Sequence, residues 1–458
     1  MTKHIIFSPV TRLSGLLSVD VLLENGVVTE ANTSATLFRG FEWIMRGRHI
    51  TDAVYLTQRV CGICSLAHGA VSSYLVDAVY DNDISANAQY LRNIMFAADF
   101  LQNHIRHFYI FSLPDYVKMP DLPPFQKQNT ADLRLNSADN CRISENYFKA
   151  AKASQRCHEI IALFGGKIPH QHSFLHGGVT VAPTADKINR ALALLDSIKE
   201  FVHTCMLPDT EIIANAYQDY FTIGRTPKRL LSFGLFRFGA KNERVLWRSG
   251  VLQDSSLKPL QPKLIREEVT STWLREEPGG ELRPDPQKLG AYTWTKTVKY
   301  AGQFFEGGPL ARMLITERYK GGTSTMDRIV ARTLETSLIA DLVEKWLYQL
   351  TPGPPPLNQN KTPVRTSVTS LTDAMRGALM HQVRISGEQI IEYNIITPTG
   401  WNFAPKDQSG KHGPAENALL GTQIPSSVPA ETILGRIIRS FDPCLPCATH
   451  YIETRQRD

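Results

Sequence analysis

The feature that most constrains this chain is a pair of C-x-x-C motifs placed near its two ends. The first motif contains Cys61 and Cys64, and the second contains Cys444 and Cys447. A C-x-x-C turn holds two thiols close enough to bind one metal ion, so two such turns can supply four sulfur ligands. Because 380 positions separate Cys64 from Cys444, a shared metal would require the two ends of the fold to meet.

Several metal or redox sites fit these motifs. Thiolates select zinc, iron–sulfur clusters, copper(I) or nickel over magnesium and calcium. A structural zinc site with four cysteine ligands could join the two ends, although zinc ribbons usually bring their pairs together over shorter spans. A redox-active C-x-x-C needs only one pair, and neither motif lies in a thioredoxin-like βαβ pattern. Two distant pairs favour a metal buried where the first and last segments meet.

The composition is that of a folded protein and argues against several other classes. Of 458 residues, 42% are hydrophobic, which is enough to bury a large core. The net charge of +6 is spread along the chain, so nucleic-acid binding is not indicated. Seven cysteines in so long a chain do not form a disulfide scaffold. No apolar run could span a bilayer and no secretory signal is visible, so we expect a cytoplasmic protein or one peripheral to the membrane.

Hydrophobic periodicity predicts an α+β fold that is predominantly α, with a central helical bundle and small β-sheets at its periphery. Apolar and polar residues alternate on either side of Asn25, which predicts a β-hairpin over 16–34, and 364–403 show further strand patterns. We expect one large domain over 1–458, with a β-rich insertion at 224–300. Helices are predicted at 38–50, 64–80, 84–111, 144–165, 185–218, 324–350 and 427–440.

The residues around the two motifs resemble those of the [NiFe]-hydrogenase large subunit, in its uptake-type branch. RVCGICSLAH resembles the family's first signature, R-x-C-G-x-C-x-x-x-H, and DPCLPCATH resembles its last, D-P-C-x-x-C-x-x-H. Between and before them, family order is kept by LFRGFEWIMRGR, HFYIFSLPDYV, GGPLARM, DAMRGALMH and TGWNFAPKD. The resemblance implies the large-subunit fold and the heterolytic oxidation of H2. An H2-sensing regulatory subunit is the alternative, and the retained His68 favours the enzyme.

The resemblance implies that the four cysteines hold a Ni–Fe(CN)2(CO) centre. Cys61 and Cys444 would be terminal nickel ligands, and Cys64 and Cys447 would bridge nickel and iron. Thiolates donate strongly to nickel. The terminal thiolate of Cys444 could also accept a proton when H2 is split.

Further site residues follow from the same resemblance. Arg376 matches the arginine that lies above the metals, and Asp442 would pair with it. Pro398 and Thr399 match the segment that hydrogen-bonds a cyanide ligand. His68 matches a histidine near the bridging thiolate. A buried Mg²⁺ or similar divalent ion is also implied, with ligands that match Glu42, the backbone carbonyl of Ile395 and His450.

Two positions depart from the family pattern. Ser14 stands where most members have glutamate, the usual first proton relay from the terminal thiolate of the second motif. Serine cannot ionise, but its hydroxyl can pass protons through hydrogen bonds and water. Asn103 stands where many members have aspartate, which leaves Asp442 as the anion beside Arg376. These departures leave open which group relays protons away from the terminal thiolate in this chain.

The remaining cysteines show no cluster spacing, so electrons from H2 would leave through the family's iron–sulfur small subunit. Family precursors are cleaved after the terminal histidine, which here is His450. Cleavage by a maturation endopeptidase would remove 451–458. We also expect maturation factors and a higher oligomer of heterodimers.

Overall fold

The computed structural model describes residues 2–121, 125, 128, 131–278 and 280–448. Helices predominate among these residues, and the strands form small antiparallel sheets. This arrangement confirms the predicted α+β class. Among the helices described, none is both long and apolar enough to cross a membrane.

The longest helices form the centre of the molecule and the shorter ones lie around it. Over the described ranges the α-helices are α1 (Phe41–Ile44), α2 (Ala53–Leu56), α3 (Ser65–Tyr80), α4 (Ala86–Arg106), α5 (Ser137–Gly165), α6 (Ala185–Phe201), α7 (Leu207–Ala216), α8 (Pro309–Ile315), α9 (Thr325–Gln349), α10 (Pro398–Asn402), α11 (Pro414–Leu419), α12 (Ala430–Ser440) and α13 (Leu445–Ala448).

The strands pair into seven small sheets within the described residues, in the orders β1-β2-β3, β4-β5, β6-β9-β10, β7-β8, β11-β14, β12-β13 and β15-β16-β17. Their bounds are β1 (Thr2–Phe7), β2 (Leu17–Glu24), β3 (Val27–Ala35), β4 (Phe174–Leu175), β5 (Gly178–Val179), β6 (Arg229–Ser232), β7 (Leu235–Phe238), β8 (Arg244–Trp247), β9 (Gly250–Gln253), β10 (Ser256–Lys258), β11 (Ile265–Glu268), β12 (Leu274–Glu276), β13 (Leu282–Pro284), β14 (Thr297–Tyr300), β15 (Ser367–Ala374), β16 (Gly377–Ser386) and β17 (Gln389–Ile396).

A bundle built around α4 forms the main core. Helix α4 packs against α5 and α9, and α6 packs against both of those helices. The Ser85 side chain caps α4 by accepting from the backbone of Ala88, and Ser324 and Asp327 form a capping box on α9. Leu91 and the apolar residues that follow it at helical spacing are fully buried. Each such leucine contributes about 1.5–3 kcal/mol by leaving water.

The predicted elements agree with this architecture except at two boundaries. The hairpin of β2 and β3 turns at Asn25 and Gly26, as predicted. The predicted helix at 38–50 is mostly wrong: α1 has four residues, because Gly40 enters it with a left-handed φ of 60° and turns follow. Helix α5 begins at Ser137, earlier than predicted, because the Asn136 side chain caps it.

The N-terminal sheet packs against the last two helices of the described chain, α12 and α13. Val19 and Val21 of β2 lie in one apolar cluster with Leu434 of α12 and Leu445 of α13. The loop after β1 then runs beside the second cysteine motif, where the backbone N–H of Leu445 donates to the carbonyl of Ser14 at 2.9 Å. The sheet therefore fixes where the C-terminal cysteines lie.

Gly15 makes this contact between the two ends close. Its φ is +89°, and a Cβ there would lie 2.5 Å from Cδ of Pro446. Any larger residue would push Pro446, and with it the second C-x-x-C turn, away from the N-terminal loop. Arg39 adds a second contact between the ends, because its guanidinium donates to the carbonyl of Pro446 at 2.7 Å and to that of Val60.

Candidate metal centre

Two short turns present the four cysteines to one another. Cys61 follows the 3-10 turn of 57–60, and Cys64 lies at the N-terminal end of α3, whose residues are nearly all buried. Cys444 directly precedes α13, and Cys447 lies within it. One pair is therefore held by the helical bundle and the other by the N-terminal sheet and α12.

The four sulfur atoms form one cluster in the interior. All four Sγ atoms lie within 4.8 Å of one another. The Sγ of Cys444 is 3.2 Å from that of Cys61 and 3.0 Å from that of Cys447, which in turn is 3.0 Å from Cys64. All four cysteines are free thiols and buried. Four converging soft donors fit a tetrathiolate metal site.

The thiols shift one another's acidity because they are in contact and away from water. Hydrogen bonds from the other thiols, chiefly Cys444, hold the pKa of Cys61 well below its usual value. A hydrogen bond to Cys444 raises the pKa of Cys64, and burial raises that of Cys447. The cluster thus favours a thiolate at Cys61 first, and full deprotonation requires a bound cation.

A buried arginine lies beside the cluster. The Nε of Arg376 is 3.1 Å from Oδ1 of Asp442, and both side chains are almost completely buried. The amide of Asn103 donates to Oδ2 of Asp442 at 2.8 Å. The three nitrogens of the Arg376 guanidinium form no well-directed hydrogen bond to any described residue. The guanidinium N–H groups are therefore available to donate hydrogen bonds to a ligand bound at the cluster.

Electrostatics keep this pair charged. Burial opposes the charge on Arg376, but Asp442 and the cysteine thiolates outweigh it and raise the pKa of the guanidinium. Burial likewise opposes the charge on Asp442, and Arg376 and other nearby positive groups hold the pKa of its carboxyl below the usual range. A fixed positive charge therefore faces the thiol cluster.

Residues after β17 reach the same cavity. Pro398 and Thr399 begin α10 and line a small cavity together with Arg376 and the cysteines Cys64, Cys444 and Cys447. The backbone N–H of Cys444 donates to the Thr399 hydroxyl oxygen at 2.9 Å. The Thr399 hydroxyl is thus used as an acceptor, and its proton remains available to a further group.

A chain of three side chains supports His68, which also lines this cavity. Nδ1 of His68 is 3.1 Å from Nε2 of His381, and Nδ1 of His381 is 2.8 Å from the Tyr393 hydroxyl. Burial lowers the pKa of His68 to about 4, so it is neutral at physiological pH. His381 and Tyr393 were not predicted from the sequence, although His381 closes the DAMRGALMH segment.

Glu42 lies in a separate polar cluster. Its Oε1 accepts from the backbone N–H of Ile395 at 3.1 Å and from the Lys296 ammonium at 3.1 Å. The ammonium is also 2.7 Å from Glu267. The structure therefore brings Glu42 and Ile395 together and adds Lys296 and Glu267, which sequence analysis missed. His450 lies outside the described residues, but Ala448, two positions earlier, lines a cavity with Glu42.

Ser14 lies at the junction of the two chain ends. It forms an isolated parallel bridge with Cys444 and is buried, and its hydroxyl has no partner among the residues described. The position that departs from the family pattern is thus directly beside one of the four cysteines. The hydroxyl can form a hydrogen bond there but cannot hold a charge.

Comparisons with known proteins agree with this site. The family model for nickel-dependent hydrogenase matches residues 39–141 and 122–450. The periplasmic [NiFeSe] hydrogenase large subunit of Desulfomicrobium baculatum is 35% identical, over 98% of this chain and 95% of that protein. The hydrogenase-2 large chain of Escherichia coli K12 is 26% identical, over 99% of this chain and 98% of that protein.

Solved structures show the same fold. The [NiFeSe] hydrogenase of Dm. baculatum superposes with a TM-score of 0.93 at 35% identity, covering 98% of this chain and all of that one. The Ni-Fe-Se hydrogenase of D. vulgaris Hildenborough superposes with a TM-score of 0.94 at 34% identity, with the same coverage. The family resemblance and the expected fold are confirmed. The family also favours nickel over the structural zinc alternative as the metal of the four-cysteine group. The chain belongs to the nickel-dependent hydrogenase family and is a catalytic large subunit.

Proposed function

We propose that this subunit oxidises H2 heterolytically at a Ni–Fe(CN)2(CO) centre bound by its four clustered cysteines. The observation that carries the proposal is the convergence of four buried Sγ atoms within 4.8 Å from motifs at the two ends of the chain. When bound, such a centre polarises H2 and accepts its two electrons. We assign Cys61 and Cys444 as terminal nickel ligands and Cys64 and Cys447 as the bridging pair.

Arg376 supplies a fixed positive charge beside the cluster. Its donors have no well-directed partner among the described side chains and backbone, so they suit hydrogen bonds to a cyanide ligand. Asp442 neutralises and orients the guanidinium, and Asn103 orients Asp442 in turn. Because the pKa of Arg376 is raised, we assign it to electrostatic positioning of the reaction rather than to accepting the proton.

Pro398 and Thr399 bind the other cyanide in this proposal. The Thr399 hydroxyl accepts from the backbone of Cys444, which directs its remaining proton away from that backbone. Thr399 thereby couples the position of Cys444 to the contact with the ligand. His68, held by His381, remains neutral and lies beside the bridging thiolate of Cys64, where it can hydrogen-bond the sulfur.

Cys444 is the first proton acceptor that we assign. Its thiolate would take a proton from H2, and Ser14 beside it could relay a proton through its hydroxyl and water. The chain offers no charge at position 14 for storing that proton, so the relay depends on other groups.

We assign a divalent cation, Mg²⁺ or a similar ion, to the cluster around Glu42. Glu42 and Glu267 together carry two negative charges, and Lys296 offsets only one of them. The ligands would be Glu42, the carbonyl of Ile395 and His450. Ala448, near the C-terminal motif, lines the same cavity as Glu42, which supports this assignment. Oxygen ligands are those that magnesium prefers.

Electrons would leave through an iron–sulfur small subunit. Within the described residues, the four-cysteine group is the only cluster of metal-ligating side chains found. A heterodimer is therefore the smallest assembly that completes the reaction, and we expect heterodimers to form a higher oligomer. We also propose that maturation factors load the metals and that an endopeptidase then removes 451–458.

The test is co-expression of this chain with its small subunit, followed by metal analysis, infrared spectroscopy and H2-dependent dye reduction. We expect one nickel per large subunit, iron in excess of nickel because the small subunit carries iron–sulfur clusters, and cyanide and CO bands. Cys444→Ser should lose nickel and H2 oxidation, whereas the matched control Cys141→Ser, at an exposed cysteine, should keep both. A Cys444→Ser variant with full nickel and activity would refute the ligand assignment, and the intact mass of the active subunit tests removal of 451–458.

A further inference from the structure

We propose that Asp99 is a proton relay of this enzyme, and that a water-filled polar face of α4 conducts protons from the Asp442 side of the metal site toward α5. The proposal rests on the function proposed above and specifies the route by which its protons leave. It starts from Ser14, which cannot store a proton where the family pattern has glutamate.

The polar face consists of three buried residues and one partly buried arginine on one side of α4. They are spaced three and four positions apart, which places them next to one another on a helix. The polar α4 face comprises Asp99, Gln102, Asn103 and Arg106. A polar stripe on a buried helix costs desolvation energy, so its presence calls for an explanation other than packing.

One end of this face touches the metal site. Asn103 donates to Asp442, which is paired with Arg376. Arg106 is next to Asn103, with its Nη2 3.4 Å from the Asn103 Oδ1. The face is thus continuous with the groups that surround the cysteines.

Three buried polar atoms of this face lack a hydrogen-bond partner among the described residues. Gln102 donates to Oδ1 of Asp99 at 2.9 Å, but Oδ2 of Asp99 has no hydrogen-bond partner among the described residues. The same holds for Oε1 of Gln102 and Nε of Arg106, and all three atoms are buried. Buried polar atoms that lack protein partners are typically satisfied by ordered water. Three such atoms on one helix face indicate a short file of water molecules.

The charges around Asp99 suit it to exchange protons near neutral pH. Burial raises the pKa of Asp99 to about 7, with a smaller contribution from Cys61 and with Gln102, Arg106 and Arg376 opposing the rise. From α5, Cys157 is the titratable group that interacts with Asp99. A relay works best when its pKa is near the working pH, because it then both accepts and releases protons readily.

The route can reach the surface through α5, which packs closely against α4. His158 of α5 is partly exposed, and the charge of Arg106 acts on it. Burial and Arg106 lower the pKa of His158, so it is neutral and able to accept a proton at neutral pH. His158 is therefore the group that passes protons from the polar α4 face to solvent.

The transfer balances as a chain of proton exchanges. A proton released by the Cys444 thiol would pass through water beside Asp442 and Asn103. The S–H bond breaks as an O–H bond forms on Oδ2 of Asp99. Asp99 then releases that proton through water to His158, which gives it to solvent. The carboxylate and the thiolate are both restored, and the two electrons of H2 leave separately through the small subunit.

The test separates H2 activation from proton release in the complete heterodimer. Interconversion of para-H2 and ortho-H2 reports activation at the metals, and HD formation from H2 in D2O also requires exchange with solvent. We expect Asp99→Asn to keep its nickel and its para-H2 conversion within about twofold of the wild type. HD formation should fall at least about tenfold and lose the rise that the wild type shows as pH increases through about 7.

Asp209→Asn is the matched control, because Asp209 is a buried carboxyl of α7 that accepts from Tyr109 and Asn146, far along the chain from the polar α4 face. It should leave both rates unchanged. Unchanged HD formation in Asp99→Asn, or an equal fall of both rates, would overturn the relay. If Asp99→Asn does not bind nickel, Asp99→Glu decides: a displaced pH midpoint supports the relay and an unchanged midpoint overturns it. Wild-type protein without para-H2 conversion would instead refute the proposed function.

Discussion

The four-cysteine site and the Glu42 cluster differ in how far protein groups already hydrogen-bond and neutralise the residues that would bind the metal. The four thiols contact mainly one another, and the charge of Arg376 faces them without a well-directed hydrogen bond to any described residue. Glu42, in contrast, already holds the Lys296 ammonium and a backbone N–H. The first site requires a metal for its chemistry, whereas the second is largely neutralised by the chain. We therefore expect the two sites to respond differently to loss of a ligand.

The largest effect is expected from Cys447→Ser. As a bridging ligand, Cys447 would hold both metals, so its loss should remove nickel and iron together and lower H2 oxidation by about a hundredfold or more. Metal analysis and dye reduction measure both results. Cys205→Ser, at a cysteine outside the cluster, should change neither. If Cys447→Ser retained both metals, the proposed difference between the two sites would be wrong, because the cluster would not depend on this thiol for metal binding.

Lys296→Met tests the internal cation of the Glu42 cluster. Burial opposes the ammonium, but Glu267 and Glu42 raise its pKa, so removing it leaves two carboxylates facing each other. We expect a loss of about 2 kcal/mol in unfolding free energy, because one partner of a mostly buried ion pair is removed. Added Mg²⁺ should recover much of this loss in thermal unfolding.

Lys299→Met provides the comparison for that rescue. Lys299 is also buried between two carboxylates, Glu268 and Asp407, but these belong to a different cluster. Its loss should destabilise the chain by a similar amount, with no recovery when Mg²⁺ is added. Equal recovery of both variants would mean that magnesium acts nonspecifically.

Arg376→Lys sharpens the assignment of the fixed positive charge. Lysine keeps the charge but loses the planar set of donors, so we expect nickel to remain and kcat to fall about tenfold. Steady-state H2 oxidation and the infrared bands of the cyanide ligands measure the effect. Arg384→Lys, at an exposed arginine paired with Glu392, serves as the neutral control. A shifted cyanide band with unchanged kcat would leave Arg376 as a ligand contact only.

The smallest effect concerns His107, whose ring lies 2.6 Å from the carbonyl of Arg439 at the end of α12. Burial, followed by the charge of Arg332, lowers the pKa of His107 to about 3. The unfolded chain therefore binds a proton that the folded chain does not, and stability falls as pH drops below about 6.5 toward about 3. Between pH 7 and pH 6, titration of His107 should lower the free energy of unfolding by roughly 0.7 kcal/mol.

His107→Gln removes this titration and retains a donor for the Arg439 carbonyl. Chemical denaturation at the two pH values should show a smaller loss of stability in the variant than in the wild type. An identical pH dependence in the two proteins would show that folding does not lower the pKa of His107.

The cysteine motifs and the helical spacing were sufficient to predict the α+β class and the meeting of the two chain ends. The motifs are local and specific, and their chemistry leaves few alternatives. Helix boundaries were less predictable. Gly40 sets the start of α1 by its left-handed φ, and Asn136 starts α5 by its side chain, and neither effect alters hydrophobic periodicity.

The supporting residues could not be predicted, because their partners are distant in sequence. His68 and His381 are separated by 313 positions, and Glu42 and Lys296 by 254. The burial of Asp99 could not be predicted for a different reason. It lies within a strongly helical pattern, where a single acidic residue is usually assigned to solvent, and only the packing of α4 shows that it is buried.

The close contact between Gly15 and Pro446 has a consequence for protein synthesis. The loop that contains Gly15 is among the first parts of the chain to leave the ribosome, yet the turn that it contacts is translated more than 400 residues later. A nascent chain can thus fold its bundle but cannot assemble the four-thiol cluster. Of the four cluster cysteines, nickel and iron delivered before that turn is made would meet only Cys61 and Cys64, so delivery of both metals to the complete site must follow synthesis of the second motif.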